Sequence, residues 1–332
     1  MFRPPPVVLA ILFSALAGGA LVLVSGHDPL RAYAEILQGS VFPWSLPDTL
    51  NWATPLVGMT LVAAIPLRGG MLNLGGDGQL VIGGMIGALV PLALPGPGPF
   101  VAAAALAAAA LGAGLYASLA AWGETRHGVP MLISSLLLSY PAIGVTSYLA
   151  RFPLRDVTTG LPQTPMVPAA ARLATLYGAL NVGSLLVAAI ALAAVFVDRR
   201  TVAGYELRMR GKNPRFAGYG GVRLEEQALL AMFASGAIAG LVGAIVVLGS
   251  QFRFIDYALQ TPAYTWSGLM AALLAGGEPV GAIFAGLFFA ALQTGGFAMQ
   301  RDTSVPRVLT LVLQAIVILF LAMRKGVGRR SA

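Results

Sequence analysis

Side chains that could catalyse a reaction or bind a metal are few in this chain and are not grouped. His27 and His127 fall on opposite sides of a membrane in the topology that the basic residues favour, so they cannot share a metal ion. The absence of cysteine excludes disulfides, thiolate metal sites and cysteine nucleophiles. The sequence also lacks an HExxH helix, a nucleophile elbow and a GxxxxGK[ST] phosphate loop. We therefore expect a non-catalytic chain that binds no metal or cofactor itself.

The first polar group with a possible function lies in a glycine-rich stretch, 68–79, within otherwise apolar sequence. Its candidate residues are Asn73, Gly75, Gly76, Asp77 and Gln79. Glycine at this density predicts a broken or kinked helix, which membrane proteins tolerate where protein or water satisfies the backbone. Asp77 would be costly at the membrane edge, so it favours a position beside a polar path. The alternative is that Asn73 or Asp77 only caps a helix.

A second interruption occurs at Gly276, Gly277 and Glu278, immediately before Pro279. Proline fits the first turn of a helix, and a carboxylate suits its positive end, so a new helix is predicted to begin here. The two interruptions lie in different halves of the chain. This placement is compatible with an internal repeat around a central pathway.

A basic, polar insert, 198–223, separates long apolar runs. We predict a short helix, a turn at 211–214 and a second short helix from Pro214 to about Tyr219. Such a hairpin could dock into a groove of another protein. The alternative is a solvated loop whose arginines only set topology. The aromatic residues of the insert (Tyr205, Phe216 and Tyr219) argue against that alternative.

Composition indicates a polytopic membrane protein. The chain has 332 residues, of which 57% are hydrophobic and 10% charged, whereas soluble domains carry about 25% charged residues. The net charge of +8 does not indicate nucleic-acid binding, because no such motif is present and the basic residues lie in short loops and at the C-terminus. The first apolar run, 7–24, is read as a retained helix and not as a cleaved signal.

The apolar pattern predicts an all-α membrane bundle of about ten segments, including short and broken helices. Candidate spans lie at about 7–24, 48–66, 71–92, 99–121, 129–150, 179–197, 225–249 and 304–323, and a broken region at 262–300 adds one short and one full helix. With a cytoplasmic N-terminus, about 14 of the 21 basic residues fall on the inner side, which also places the C-terminus inside. Gly83 with Gly87, and Gly236 with Gly240, have the spacing of closely packed helices.

The predicted organisation is one transmembrane domain, 1–332. Its non-membrane parts are a cytoplasmic segment at 198–224, external loops at 25–47 and 151–178, and a cytoplasmic basic tail at 324–332. Within the first external loop, residues 28–37 form an amphipathic stretch along the interface, and Trp44 and Trp52 suit an interfacial belt.

Three stretches carry a resemblance to a known family. GMLNLGGDGQLVIGG resembles a NIGAEGQ signature, with Leu74, Gly76 and Asp77 in place of isoleucine, alanine and glutamate. YELRMRGKNPRFAGYGGV resembles a cytoplasmic RAVGENPRAARYAGI motif. The tail SGLMAALLAGGEPVGAIFAGLFFAALQTGGFAMQ resembles the closing block, and VPRVLTLVLQAIVILFLA resembles the last helix of the family. The chain is thus similar to permease subunits of bacterial ABC importers, in the branched-chain amino acid, ribose and simple-sugar permease superfamily.

The resemblance implies a multi-pass protein of the bacterial plasma (inner) membrane, surrounded by lipid. It implies an ABC ATPase partner that uses ATP and Mg²⁺, a second and usually different permease chain, and an external substrate-binding lipoprotein. The family's coupling helix maps onto 211–221. The residues implied in ATPase coupling are Arg208, Gly211, Lys212, Asn213, Pro214, Arg215, Tyr219, Gly220 and Gly221.

The form with Gln79 and the GGFAMQ…VP ending look most similar to nucleoside permeases, while ribose or galactose permeases are the alternative. Tyr140 and Trp266 are candidates for stacking on a base. The scarcity of intramembrane charge suits a neutral polar solute. An ion-coupled secondary transporter would need several buried acids or histidines, whereas only Asp77 and Glu278 are candidates. An intramembrane enzyme would need a catalytic set that is not evident.

Overall fold

The computed structural model describes residues 6–303, 305, 306, 308, 309 and 312. It is 76% helix with almost no strand, as an all-α protein should be. Seven of the described helices are long and apolar enough to cross a membrane. The count of about ten segments and the cytoplasmic placement of the termini stay predictions. The predicted span 304–323, apart from the positions named above, and the tail 324–332 lie outside the described residues.

The helices follow one another along almost the whole described chain. They are α1 (Pro6–Val24), α2 (Pro29–Val41), α3 (Leu46–Arg68), α4 (Gly76–Ala93), α5 (Gly98–His127), α6 (Met131–Arg151), α7 (Val182–Arg200), α8 (Val202–Lys212), α9 (Pro214–Tyr219), α10 (Leu224–Val246), α11 (Tyr264–Ala275) and α12 (Pro279–Thr303). A π-helical turn, Val247–Gln251, extends α10. A 3₁₀ turn, Ala169–Ala171, and a two-stranded hairpin of β1 (Thr175–Tyr177) and β2 (Leu180–Asn181) precede α7.

Capping residues and helix-breaking residues in the sequence set several of these boundaries. The predicted interfacial stretch is α2, and the Asp28 carboxylate caps it by accepting a hydrogen bond from the Leu30 amide. The predicted break in 68–79 is present, since α3 ends at Arg68 and α4 begins only at Gly76. The second break is also present, since α11 ends at Ala275 and α12 begins at Pro279. The predicted external loop at 151–178 contains the 3₁₀ turn and β1.

The chain divides into two compact units, residues 1–53 with 287–332, and residues 54–286. In the first unit, α2, α3 and α12 meet through small and hydroxyl-bearing residues. The hydroxyls of Thr49 and Thr294 lie 2.8 Å apart. A methyl group on Gly39 would lie 2.2 Å from the Cβ of Ala298, so these two helix backbones approach closely.

In the second unit, α4, α5 and α10 form a tightly packed core. A methyl group on Gly83 would lie 2.2 Å from the Cα of Gly240, and one on Gly240 would lie 2.3 Å from the carbonyl oxygen of Ala109. Gly236 makes a similar approach to Ala113. The predicted close contacts at Gly83, Gly236 and Gly240 are therefore confirmed. Association of helices by small residues is expected in lipid, where apolar side chains gain little by turning inward.

Replacing Gly83 with alanine should destabilise the protein by about 1–3 kcal/mol, the usual cost of overpacking a filled interior. Gly144→Ala on α6 is the matched control, because its new methyl group meets nothing within 4 Å and alanine favours a helix by about 1 kcal/mol. The measurement is the midpoint of thermal unfolding in detergent. Equal midpoints for the two variants would contradict the packing assigned to Gly83.

Candidate functional site

The basic insert folds as the helical hairpin that the sequence predicts. The Thr201 hydroxyl caps α8 by accepting from the Gly204 amide, 3.2 Å away. Asn213 separates the two helices, and its side-chain oxygen accepts from the Phe216 amide at 3.1 Å, which caps α9. Pro214 follows in the first turn of α9, where it needs no backbone donor. Asn213 therefore shapes the hairpin, in addition to any contact it makes with a partner.

One side of the hairpin is exposed and carries both charge and aromatic rings. We define the hairpin face as Lys212, Arg215, Phe216 and Tyr219. All four are exposed, Phe216 by 64% and Tyr219 by 92%. Large exposed aromatic residues grouped with cations are typical of a binding surface. Pro214, Gly220 and Gly221 are also exposed beside this face, and Gly221 has a positive φ of 88°.

Two of the residues predicted to contact the ATPase lie on the opposite, inner side of α8. Arg208 is partly buried, and its Nη1 lies 3.4 Å from the Oδ1 of Asp198. A methyl group on Gly211 would lie 2.2 Å from the carbonyl oxygen of Arg68. Because Gly204, Arg208 and Gly211 are spaced by four and three residues, they share one face of the helix. In this structure they attach the hairpin to the protein.

Asp198 is an acidic residue whose importance was missed in the sequence. Its side chain is only 7% exposed. Arg68 donates to both of its oxygens, from Nε to Oδ1 at 3.0 Å and from Nη2 to Oδ2 at 3.1 Å. The signal that could have identified it is an acid among arginines at the end of an apolar helix. We name Arg68, Asp198 and Arg208 the ion cluster.

Arg210 attaches the hairpin at a further point. Its Nη1 lies 2.7 Å from the sulfur of Met71, in the segment between α3 and α4. Burial lowers the pKa of the Arg210 guanidinium, and the charge of Glu124 acts in the opposite direction. Leu207 packs against the buried cluster that contains Met71. The hairpin is therefore in contact with the broken-helix segment itself.

The broken-helix segment is held by a buried network centred on Asn73. Asn73 and Gln79 exchange two hydrogen bonds between their amides, of 2.9 and 3.1 Å. The Asn73 nitrogen also donates to Ser235 of α10 at 2.8 Å, and its oxygen accepts from the Gly75 amide at 2.8 Å. Ser235 in turn donates to the carbonyl of Val62 in α3. Both donors and both acceptor positions of the Asn73 amide are thus occupied.

The remaining members of this region have different positions. The Leu74 amide donates to the hydroxyl of Ser135 on α6 at 3.1 Å. Ser135 and Ser235 were not predicted, since nothing in their local sequence marks them. Gly75 occupies the capping position of α4 without a side-chain cap. Of the two residues considered as caps, Asn73 accepts a hydrogen bond from the Gly75 amide. Asp77 instead lies in the first turn of α4, where its charge complements the helix dipole.

The second break lies at a tight turn of which only Gly276 is exposed. Gly276 and Gly277 have φ values of 65° and 76°, which glycine adopts without strain and which end α11. Glu278 forms an ion pair of 3.0 Å with Arg199 at the end of α7, with both side chains about half exposed. A methyl group on Gly277 would lie 3.2 Å from Leu67. This turn therefore meets the end of α3, as the hairpin does.

The two residues predicted to stack on a base lie on separate helices, and other aromatic residues line a cavity. Tyr140 on α6 and Trp266 on α11 are 65% and 47% exposed, on separate helices. The first unit contains an open cavity of about 390 Å³ that combines aromatic rings with polar groups. Its lining includes Trp44, Trp52, Phe297, Asp48, Asn51 and Arg301. The sequence assigned Trp44 and Trp52 only to an interfacial belt.

The fold is that of a multi-pass membrane protein whose hairpin exposes aromatic and basic residues. The described residues contain no group of side chains that could hold a metal ion. Residues 45–322 match the family described as branched-chain amino acid transport system, permease component. The chain belongs to this family of ABC transporter permeases.

Three relatives illustrate the range of the similarity. The glucose ABC transporter permease protein TsgB13 of Haloferax volcanii is 32% identical, over 95% of this chain and 86% of its own length. The guanosine ABC transporter permease protein NupP of Bacillus subtilis is 29% identical, over 95% and 92%. The guanosine ABC transporter permease protein NupQ of the same organism is 25% identical, over 86% and 93%.

Replacing Asn73 with alanine should lower the free energy of unfolding by several kcal/mol, because each buried group left unpaired costs about 1–3 kcal/mol. The orphaned groups would be the Gln79 amide and the Gly75 N–H. Gln38→Ala is the control, since Gln38 is exposed on α2 and such substitutions stay within about 0.5 kcal/mol. Thermal unfolding in detergent measures both. A midpoint for Asn73→Ala equal to that of the control would show that the network does not stabilise the break.

Proposed function

We propose that this chain forms one half of the pathway of an ATP-driven importer and that its hairpin face docks an ABC ATPase subunit on the cytoplasmic side. Family membership supports the class of transporter. The hairpin face supports the docking, because Phe216 and Tyr219 would otherwise expose large rings to water. ATP and Mg²⁺ are assigned to the partner, and an external lipoprotein to substrate delivery. The membrane is the bacterial plasma membrane.

The positions of the charged residues within the helices favour a transporter that is driven by a separate ATPase subunit over an ion-coupled transporter. In the seven long apolar helices of the described region, every Asp, Glu, Lys and Arg lies within the first or last turn. A proton or ion relay requires charged or titratable groups deeper in the membrane. The same distribution disfavours a multiply charged anion as substrate, because these helices have no basic residue in their middle turns. A neutral polar solute is the substrate that this arrangement suits.

We assign nucleosides as the substrate class and simple sugars as the second candidate. Two permeases named for guanosine align with most of this chain, and a permease named for glucose aligns equally fully. Gln79 cannot distinguish nucleosides from sugars by touching the substrate, because it is buried in the amide pair with Asn73. The cavity of the first unit favours nucleosides. Its tryptophans offer stacking surfaces, and Asp48 and Asn51 offer hydrogen bonds to a base.

The same relatives support a paired assembly. NupP and NupQ come from one organism and are both described as guanosine permeases. We infer that this chain likewise works beside a second, related permease chain. The hairpin of each chain would then meet one ATPase subunit.

Replacing Arg215 and Tyr219 together with alanine should weaken association with the ATPase subunit at least about 30-fold, since central aromatic and arginine contacts are worth about 2 kcal/mol or more. Co-purification of the ATPase and ATP-dependent uptake should fall together, while the amount of inserted permease is unchanged. The measurement uses the co-expressed complex in membranes.

Two controls separate docking from hairpin shape and from charge. Asn213→Asp keeps a side-chain oxygen that can cap α9, so it should preserve co-purification. Arg223→Ala removes an exposed arginine outside the hairpin face, where it pairs only with Glu226 at 2.9 Å. Equal losses for Arg223→Ala and for the double variant would mean that general charge, and not the hairpin face, binds the ATPase.

Replacing Trp44 with alanine should raise the KM for guanosine about tenfold, because base stacking on an aromatic ring is worth about 1–3 kcal/mol. Uptake of labelled guanosine and labelled glucose in proteoliposomes measures the effect for each substrate class. Trp266→Ala tests the competing position on α11, and Trp122→Ala, at the exposed end of α5, is the control. A raised KM for Trp266→Ala alone would move the site to α11, and uptake of glucose alone would favour the sugar candidate.

A further inference from the structure

The hairpin face can bind a partner, but binding alone moves nothing in the membrane. Some connection must carry a displacement of the hairpin into the transmembrane helices. The ion cluster joins three helices at the base of the hairpin, with Arg68 at the end of α3, Asp198 near the end of α7 and Arg208 on α8. The bidentate Arg68–Asp198 pair fixes orientation as well as distance, which a single charge contact would not.

Glycines bring the hairpin backbone into direct contact with the same helix ends. A methyl group on Gly204 would lie 2.2 Å from the carbonyl oxygen of Val197, one residue before Asp198. At the other end of α8, Gly211 approaches Arg68 equally closely. A methyl group on Gly69 would lie 2.5 Å from the Leu207 side chain. The inner face of α8 therefore lies on the end of α3 and on the segment that leads to Asn73.

Apolar packing contributes little to this connection on one side of α8. An open cavity of about 450 Å³ lies there, lined by residues of α3, α7, α8 and α10. Its walls are largely apolar (Ile65, Ile190, Val197, Leu207, Leu230 and Ile238), while Arg68 and Asp198 lie at the helix ends. The contacts that tie the hairpin to α3 and α7 beside this cavity include the ion cluster and the approaches of Gly204 and Gly211.

We propose that Asp198 is a positioning residue that, by holding Arg68 and Arg208, transmits displacement of the hairpin to the end of α3 and to the broken-helix segment. This proposal rests on the proposed function, because it requires that the hairpin be moved by an ATPase. It goes beyond docking, since all three members of the ion cluster lie behind the hairpin face. Elements tied at two or more points move together, and transport then depends on the tie as well as on the docking surface.

The experiment uses the full complex, with its ATPase, partner permease and binding lipoprotein, in proteoliposomes supplied with guanosine, or with glucose if the parent takes up glucose instead. Asp198→Asn keeps the shape of the side chain and removes its charge. We expect ATPase co-purification and ATP hydrolysis within about twofold of the parent, and solute transported per ATP to fall about tenfold, the ratio that 1.4 kcal/mol of coupling represents. Asp198→Glu should restore at least half of the ratio. Adding Arg208→Gln to the Asp198→Asn variant should not lower the solute transported per ATP any further, because the effects of substitutions within one network are not additive.

Arg199→Gln is the matched control, because Arg199 follows Asp198 in the chain and forms an exposed ion pair with Glu278. Solute transported per ATP by this variant should stay within about twofold of the parent, because exposed ion pairs contribute little.

If Asp198→Asn does not assemble, Arg208→Gln alone provides the same test, since it leaves the Arg68–Asp198 pair in place. An unchanged ratio in the variant that assembles overturns the proposal. So does a loss of uptake that only parallels lost co-purification, because Asp198 would then merely shape the docking surface. Failure of the proposed function is a different result, namely a parent complex without ATP-dependent uptake.

Discussion

The interruption between α3 and α4 is held by Asn73, which satisfies a backbone amide that the break releases and joins the segment to neighbouring helices. In a membrane an unpaired backbone N–H or C=O is costly, so an irregular segment persists only where protein groups replace the helical bonds. Asn73 accepts from the Gly75 amide and pairs with Gln79, and it also reaches Ser235 on α10. The amide of Asn73 thereby fixes the start of α4 relative to a neighbouring helix.

A fully satisfied network of this kind specifies one arrangement more sharply than apolar packing does. Its members come from α3, α4, α6 and α10 and from the segment before α4. Around it, α4, α5 and α10 approach one another through glycine and alanine, which leaves little room for alternative side-chain arrangements. The second unit thus combines a close-packed group of helices with one irregular segment that is held by the hydrogen bonds of Asn73.

Local features of the fold could be predicted from the sequence, because glycine, proline and asparagine fix them within a few residues. The hairpin is the clearest case: Asn213 and Pro214 end one helix and start the next, as predicted. The break before Gly76 is another. Partners distant in sequence could not be predicted in this way. Ser135 and Ser235 look like ordinary residues of apolar helices, and only the packing of α6 and α10 brings them to Leu74 and Asn73.

The inner face of the hairpin could be predicted in part from the sequence. Its residues at 204, 208 and 211 recur at helical spacing, and two of them are glycines. This pattern indicates close helix contact, whereas the family resemblance implies ATPase coupling for Arg208 and Arg215 alike. The structure separates them: Arg215 faces outward, while Arg208 turns to Asp198. A buried acid attracts its arginine because desolvation would otherwise destabilise both charges, and sequence alone does not reveal which acid is buried.

The end of α3 is the common neighbour of both helix interruptions in the second unit. Gly70 lies against Gly211, and Gly277 lies against Leu67 and Arg68. Each approach involves backbone on at least one side, so neither contact can be adjusted by a change of rotamer alone. A shift of the last turn of α3 would therefore have to displace the hairpin, the segment before α4 and the turn before α12 together. Under the proposed function, that geometry would give the ATPase partner, acting only on an exposed surface, a direct mechanical route to the two places where the helices are already broken.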